Sequence, residues 1–273
     1  MRTLFSRFSR RIRRSLFSVV GLGIIWATLF SGAPPAQAVA EFRQQMPVQA
    51  GTQASFPDGR CTVGAVLRST RLLSYLPQGR ATRYLVMSEH CAHNGDPVTV
   101  MNHGVIGHVI WTSHRSDLEI VQVDPLVRRQ VSCNASSILH NCGINAYYTP
   151  RAIGNIFLRN HTGAYVSVPI AGTGTPGVNE IFCTSGAKTG VNCTWGISAL
   201  PPDAPANLLG ARTWAGNVVS GDSGGPVSSR AGRLYGIISA GAGAETSMPD
   251  AMSYVPISKV FEEQFNYEIA PAG

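Results

Sequence analysis

Gly221-Asp222-Ser223-Gly224-Gly225-Pro226-Val227 sets one hydroxyl between glycine-flanked backbone amides, with the apolar run Leu234 to Ser239 following soon after. An acyl-transfer site needs a nucleophile exposed on a tight turn and backbone N–H donors about 3 Å from the oxyanion that forms. Gly221 and Ser223 could supply those donors. Glycine at 221 admits backbone angles that other residues avoid, and Gly224 and Gly225 leave room beside the hydroxyl. A plain surface turn uses the same residue types, but it does not explain seven of them in this order.

Outward from that turn, the chain alternates short β-prone runs with turn residues. Strands are expected at 61–68, 81–87, 97–101, 105–112 and 117–123, then at 163–169, 178–183, 193–199, 211–219, 226–229 and 233–239. The rhythm is all-β. It breaks at 125–150, around Pro125, Arg128 and Arg129, which reads as the join between two halves. Residues 39–60 are polar and turn-rich and read as a processed or loosely held leader. Ile257, Val260, Phe261 and Phe265 recur at helical spacing and predict a C-terminal amphipathic helix.

The 273 residues are 44% hydrophobic and 14% charged, the composition of a folded globular protein. Residues 2–14 carry six arginines and no acid, Leu16 to Phe30 is apolar, and Ala36-Gln37-Ala38 or Ala38-Val39-Ala40 offers a cleavage site. This is the pattern of a secretory signal peptide over 1–38, with an apolar run shorter than the roughly 20 residues of a spanning helix. Arg10-Arg11 and Arg13-Arg14 also permit a twin-arginine route. Without residues 1–38, 16 of the 22 basic side chains remain against 15 acidic ones, so all but one unit of the formal charge of +7 belongs to the export signal. Nucleic acid is therefore not an expected partner, nor is a membrane once the signal is gone.

All six cysteines (Cys61, Cys91, Cys133, Cys142, Cys183, Cys193) follow the signal, which fits an oxidising compartment. Spacing favours Cys133 with Cys142 and Cys183 with Cys193, leaving Cys61 for Cys91. Neither C-x-x-C nor H-E-x-x-H occurs, and no metal or cofactor is expected.

A serine needs a base to take its proton, and the base needs a carboxylate to fix its tautomer. His90 ends the apolar run Tyr84-Leu85-Val86-Met87 and precedes Cys91, and Asp117 opens the run Asp117-Leu118-Glu119-Ile120-Val121. The order His90-Cys91, Asp117-Leu118, Gly221 to Pro226 resembles the chymotrypsin clan of serine peptidases, within it the bacterial branch of streptogrisins and α-lytic protease. Arg60-Cys61-Thr62-Val63-Gly64, the 27-residue step from His90 to Asp117, and the loop Cys183 to Cys193 match that branch as well. The similarity spans roughly residues 48–268.

The resemblance implies two six-stranded antiparallel β-barrels with a C-terminal helix, divided as 48–130 and 131–273 after a short leader or pro-segment at 39–47. It implies His90 as general base, Asp117 as its orienting acid, Ser223 as nucleophile and the N–H groups of Gly221 and Ser223 as oxyanion hole. Ser239, Ala240 and Gly241 would pair with substrate backbone, Ser239 would bond the aspartate, and Asp222 would be a buried structural ion. Asn217, six residues before the nucleophile, would floor the specificity pocket. Without a carboxylate there, and with Ile238 where glutamate-specific relatives carry histidine, cleavage after uncharged residues is expected. The expected protein is a bacterial secreted serine endopeptidase acting as a monomer on protein or peptide substrates. The alternative is a peptidase-fold binding or scaffold protein with little turnover.

Three positions depart from the family. Glu89 and Glu119 stand where small residues are usual and are expected to face solvent. The arginine expected after the first cysteine of the small loop is Thr184, so the cation for Asp222 is expected to be Arg212, Lys188 or a new amino terminus cut near Val48. The last would make the chain a zymogen.

Overall fold

The computed structural model describes residues 40–134 and 141–273; the expected export signal at 1–38 lies outside the described residues. Two β-structures carry the fold. The first is an eight-stranded antiparallel sheet in the order Tyr267–Ile269, Ala65–Ser69, Arg83–Met87, Glu119–Val123, Val105–Thr112, Pro97–Thr99, Gln53–Phe56 and Gly59–Thr62, rolled into a half-barrel. The second is a closed six-stranded barrel running Phe182–Gly186, Gly190–Ser198, Leu209–Thr213, Ala251–Pro256, Leu234–Gly241, Pro226–Ser228 and back to the first. This is the all-β double-barrel architecture expected, with a closing helix at Ile257–Glu263.

Burial explains why these segments are strands. Leu85, Met87, Val98, Val109, Val121 and Val123 fill the first core, and Phe182, Trp195, Tyr235, Ile238 and Tyr254 fill the second. A third cluster takes Val86, Leu118 and Ile120 from the first half and Leu234, Ile237, Val255 and Val260 from the second. Its members come from both halves, so it fixes them against each other. The end of the chain then returns to the first sheet, where Ile269 pairs with Leu67.

Three expectations need correction. Residues 125–150 are not a plain break: Leu126–Asn134 and Asn141–Thr149 form a hairpin closed by the Cys133–Cys142 disulfide. Val131 and Ile144 are 64% and 71% exposed, so the hairpin buries neither strand against a core and leaves no alternating pattern to read. Of the expected leader at 39–60, the described residues 40–60 are not loosely held. Glu41–Gln44 is a 3-10 turn, Val48 and Ala50 are fully buried in the strand Val48–Ala50, and that strand runs parallel to Ala152–Arg159. The helix stops at Glu263, which leaves Phe265 exposed.

The halves meet closely at Gly64. A Cβ there would collide with the Gly224 carbonyl oxygen and with Ile237 Cδ1. Gly64→Ala should therefore lower stability by about 1–3 kcal/mol, as overpacking does. Urea denaturation would show this as a lower midpoint, and an unchanged midpoint would mean the halves can separate there at no cost.

Candidate active site

His90 and Asp117 sit at the ends of neighbouring strands. Arg83–Met87 pairs antiparallel with Glu119–Val123, Met87 opposite Glu119, so the residues just beyond each strand end are brought together. His90 lies in the 3-10 turn Glu89–Cys91, and Cys91 is bonded to Cys61. The His90 ring places Nδ1 2.9 Å and 3.0 Å from the two carboxylate oxygens of Asp117, whose Oδ1 also accepts the His90 backbone N–H at 3.1 Å. An ionised carboxylate only accepts, so Nδ1 carries the proton and Nε2 is left as an acceptor. Ser239 Oγ donates to Asp117 Oδ2 at 2.6 Å.

Ser223 comes from the other half. Its turn is stitched to the first sheet by Thr62: the Thr62 N–H donates to Ser223 O at 2.8 Å, Thr62 Oγ1 donates to Gly221 O at 2.7 Å, and Ala187 N–H donates to Thr62 Oγ1 at 2.9 Å. Ser88 Oγ adds a bond to Ile238 O at 2.7 Å. Thr62 stands in the matched stretch Arg60 to Gly64, but neither its bonding role nor that of Ser88 is legible in the sequence, because a stitching hydroxyl has no local pattern. The Ser223 hydroxyl donates to Ser239 O at 3.4 Å. This is longer than a usual O–H···O bond, and it is a different partner from the expected His90.

Gly221 has φ +98°, which only glycine adopts freely, and its neighbour Asp222 is fully buried. Asp222 Oδ1 accepts the N–H groups of Lys188 at 2.8 Å and Thr189 at 3.1 Å, and Oδ2 accepts that of Val219 at 3.1 Å. Two of the expected cations are placed differently. Arg212 is bound on the surface to Asp250, with Nε 2.8 Å from Oδ2, while Lys188 approaches Asp222 through its backbone N–H.

Electrostatics separate the acids around His90. Asp117 is pushed up by burial but held lower overall by its bonds from His90 and Ser239. Its hydrogen bond raises His90 above the ordinary histidine value. Glu119 was expected to face solvent, but it is fully buried and neither carboxyl oxygen has a hydrogen-bond partner. Burial, reinforced by the charges of Asp117, Glu89 and Asp96, pushes it up to about 9. It is thus neutral at pH 7 and does not repel Asp117. Glu89 is only part-buried.

Asn217 does not present a free amide. Its Nδ2 donates to the carbonyls of Pro249 at 2.8 Å, Ala251 at 3.0 Å and Ala242 at 3.4 Å, and its Oδ1 accepts the Val218 N–H at 2.7 Å. It ties the loop 242–251 to the segment before the nucleophile. Beside it is a cleft lined by Trp214, Ala215, Gly216 and Asp250. Ser239, Ala240 and Gly241 form one wall of a second, more apolar cleft that Pro201, Pro202 and Pro205 close. Among the described residues no group of His, Cys, Asp and Glu is placed to hold a metal ion.

The fold is that of bacterial chymotrypsin-like serine proteases. Protease A of Thermobifida fusca matches with a TM-score of 0.52 and 20% identity, over 82% of this chain and 98% of that one. The Nocardiopsis protease NAPase matches with 0.54 and 19%, over 81% and 98%. A glutamic acid specific serine protease that uses a histidine triad in substrate binding matches with 0.54 and 20%, over 81% and 100%. No protein-family model and no curated protein matches the chain. At such identities the likeness carries the fold, and the chemistry is argued from this chain's own side chains.

Glu119 gives a pH signature. Burial pushes its carboxyl up to about 9 in the fold against an ordinary 4.5, so the native state loses stability as pH rises between those values. Glu119→Gln should melt higher than the parent at pH 8, with the gain shrinking toward pH 5. A difference that does not change with pH would show that the carboxyl is already solvated.

Proposed function

We propose that the protein is a secreted serine endopeptidase in which Ser223 attacks the scissile carbonyl. The observation that carries this reading is the double contact of His90 Nδ1 with the Asp117 carboxylate, 2.9 Å and 3.0 Å, which leaves Nε2 as a base, while Ser239 links that carboxylate through its hydroxyl to Ser223 through its carbonyl. This reading requires the Ser223 hydroxyl to leave its weak 3.4 Å bond to Ser239 O and donate to His90 Nε2. His90 takes the hydroxyl proton, Asp117 stabilises the resulting imidazolium, and the Gly221 and Ser223 N–H groups hold the oxyanion. His90 then gives its proton to the leaving amine. Water, deprotonated by the same imidazole, releases the acyl group and restores Ser223.

The substrate backbone adds as a strand to Ser239-Ala240-Gly241, whose last two residues are exposed. Specificity follows from what lines the cleft. The Asn217 amide is fully engaged by backbone, and the Asp250 carboxylate is already paired with Arg212. A charged side chain entering there would find no free partner, so uncharged residues are preferred on the acyl side of the cleaved bond. Secretion is supported by the expected signal over 1–38, by the three disulfides, and by the described residues, none of whose helices is long and apolar enough to cross a membrane.

A fluorophosphonate probe should label Ser223 in the parent and not in His90→Ala. Absence of labelling in any processed form would favour the scaffold alternative. In active protein, kcat/KM should rise with pH through a midpoint above the ordinary histidine value of 6.5, because His90 must be neutral to accept a proton and Asp117 holds it charged. Asp117→Asn should lower that midpoint and cut kcat by about four orders of magnitude. Peptide-library profiling should show cleavage after uncharged residues, and dominant cleavage after Arg, Lys or Glu would contradict the pocket assignment.

A further inference from the structure

The described residues bury four charge-bearing side chains among their buried polar groups: Arg43, Arg83, Glu119 and Asp222. Glu119 is neutral, pushed up to about 9, and the charge beside Arg83 is that of Arg68, not of a carboxylate. Asp222 and Arg43 remain. A lone charge inside a protein is strongly destabilising, and these two are opposite in sign.

Arg43 is 1% exposed although it lies in the polar segment ahead of Val48. Its guanidinium lies 5.4, 5.3 and 5.4 Å from the ring centres of Phe42, Phe157 and Tyr165. Nη1 donates to Gly51 O at 2.8 Å and Nη2 to Ser185 Oγ at 3.1 Å. The next residue, Gly186, lies against the Asp222 carboxylate so closely that a Cβ there would collide with Oδ1. One residue of backbone thus separates the guanidinium's partner from the carboxylate. Burial lowers Arg43 to about 10, while Tyr165 first and the Asp222 charge after it act to keep it charged. Every hydrogen bond to the Asp222 oxygens comes from a backbone N–H, and none of those brings a full positive charge.

We propose that Arg43 is the counter-charge of Asp222, so that residues 40–47 are a retained part of the oxyanion turn and not a segment that activation removes. Arg43 is a positioning residue: it acts through Ser185–Gly186 on the turn that aims the Gly221 and Ser223 N–H groups. Cleavage near Val48 would take it away. The catalytic half of this inference rests on the peptidase reading above; the counter-charge half does not.

The experiment is a melting cycle in the full chain with a parallel labelling assay. Asp222→Asn should lower Tm in the parent but raise it in Arg43→Met, where it removes a buried charge without a partner. An equal drop in both backgrounds would overturn the proposal. If Arg43→Met does not fold, the same cycle in Arg43→Gln decides by the same sign. Fluorophosphonate labelling of Ser223 should slow at least tenfold in Arg43→Met and recover in part in Arg43→Lys, with the pH midpoint of labelling unmoved because His90 is untouched. Undiminished labelling would overturn the positioning role. The labelled parent should retain Arg43 on amino-terminal sequencing, and an active form beginning after residue 43 would overturn retention. If even the parent fails to label while the melting cycle reverses sign as expected, the peptidase reading fails and the counter-charge stands.

Discussion

A carboxylate with no exposed surface sits one residue before the proposed nucleophile, and its three backbone donors come from two different loops. Val219 belongs to the run leading into Ser223, and Lys188 and Thr189 to the hairpin turn between Phe182–Gly186 and Gly190–Ser198. By accepting from both, Asp222 sets where the Gly221–Ser223 backbone points. A buried ion gives such precision because every alternative arrangement leaves the charge without donors, at a cost of several kcal/mol. The geometry of the turn therefore depends on those three donors staying in place.

The same turn has to be registered against residues from the other sheet. Thr62 does this with three hydrogen bonds, and the shared apolar cluster of Val86, Leu118, Ile120, Ile237 and Val255 holds the sheets so that those bonds can form. His90 and Asp117 inherit their positions from strand pairing on one side, and Ser223 inherits its position from the closed barrel on the other. The proposed catalytic group is thus assembled across an interface, so on that proposal packing far from Ser223 bears on its reactivity.

What the sequence disclosed follows from what leaves a local trace. Strands such as Val105–Thr112 and Leu234–Gly241 bury alternate or continuous apolar residues, and the reading found them. Leu126–Asn134 and Asn141–Thr149 are as regular but exposed, so nothing in their residues marks a buried face. Of the site, Ser223, His90 and Asp117 stood out by motif and spacing, and the contacts of His90 and Ser239 with Asp117 are as anticipated. Glu119 differs from expectation because a carboxylate is normally kept in water, and only the tertiary fold closes it in and so pushes its carboxyl up. Arg43 was passed over because its partners, Gly51, Ser185 and the rings of Phe157 and Tyr165, are brought to it by tertiary structure alone.

The central claim is that Ser223 and the amides beside it form one acyl-transfer centre. A crystal structure of the protein soaked with a peptide boronic acid tests it most directly. A tetrahedral boron should then be bonded to Ser223 Oγ, with one boronate oxygen about 2.7–3.1 Å from the N–H groups of Gly221 and Ser223. An unmodified Ser223, or an adduct whose oxygen meets neither amide, would contradict it.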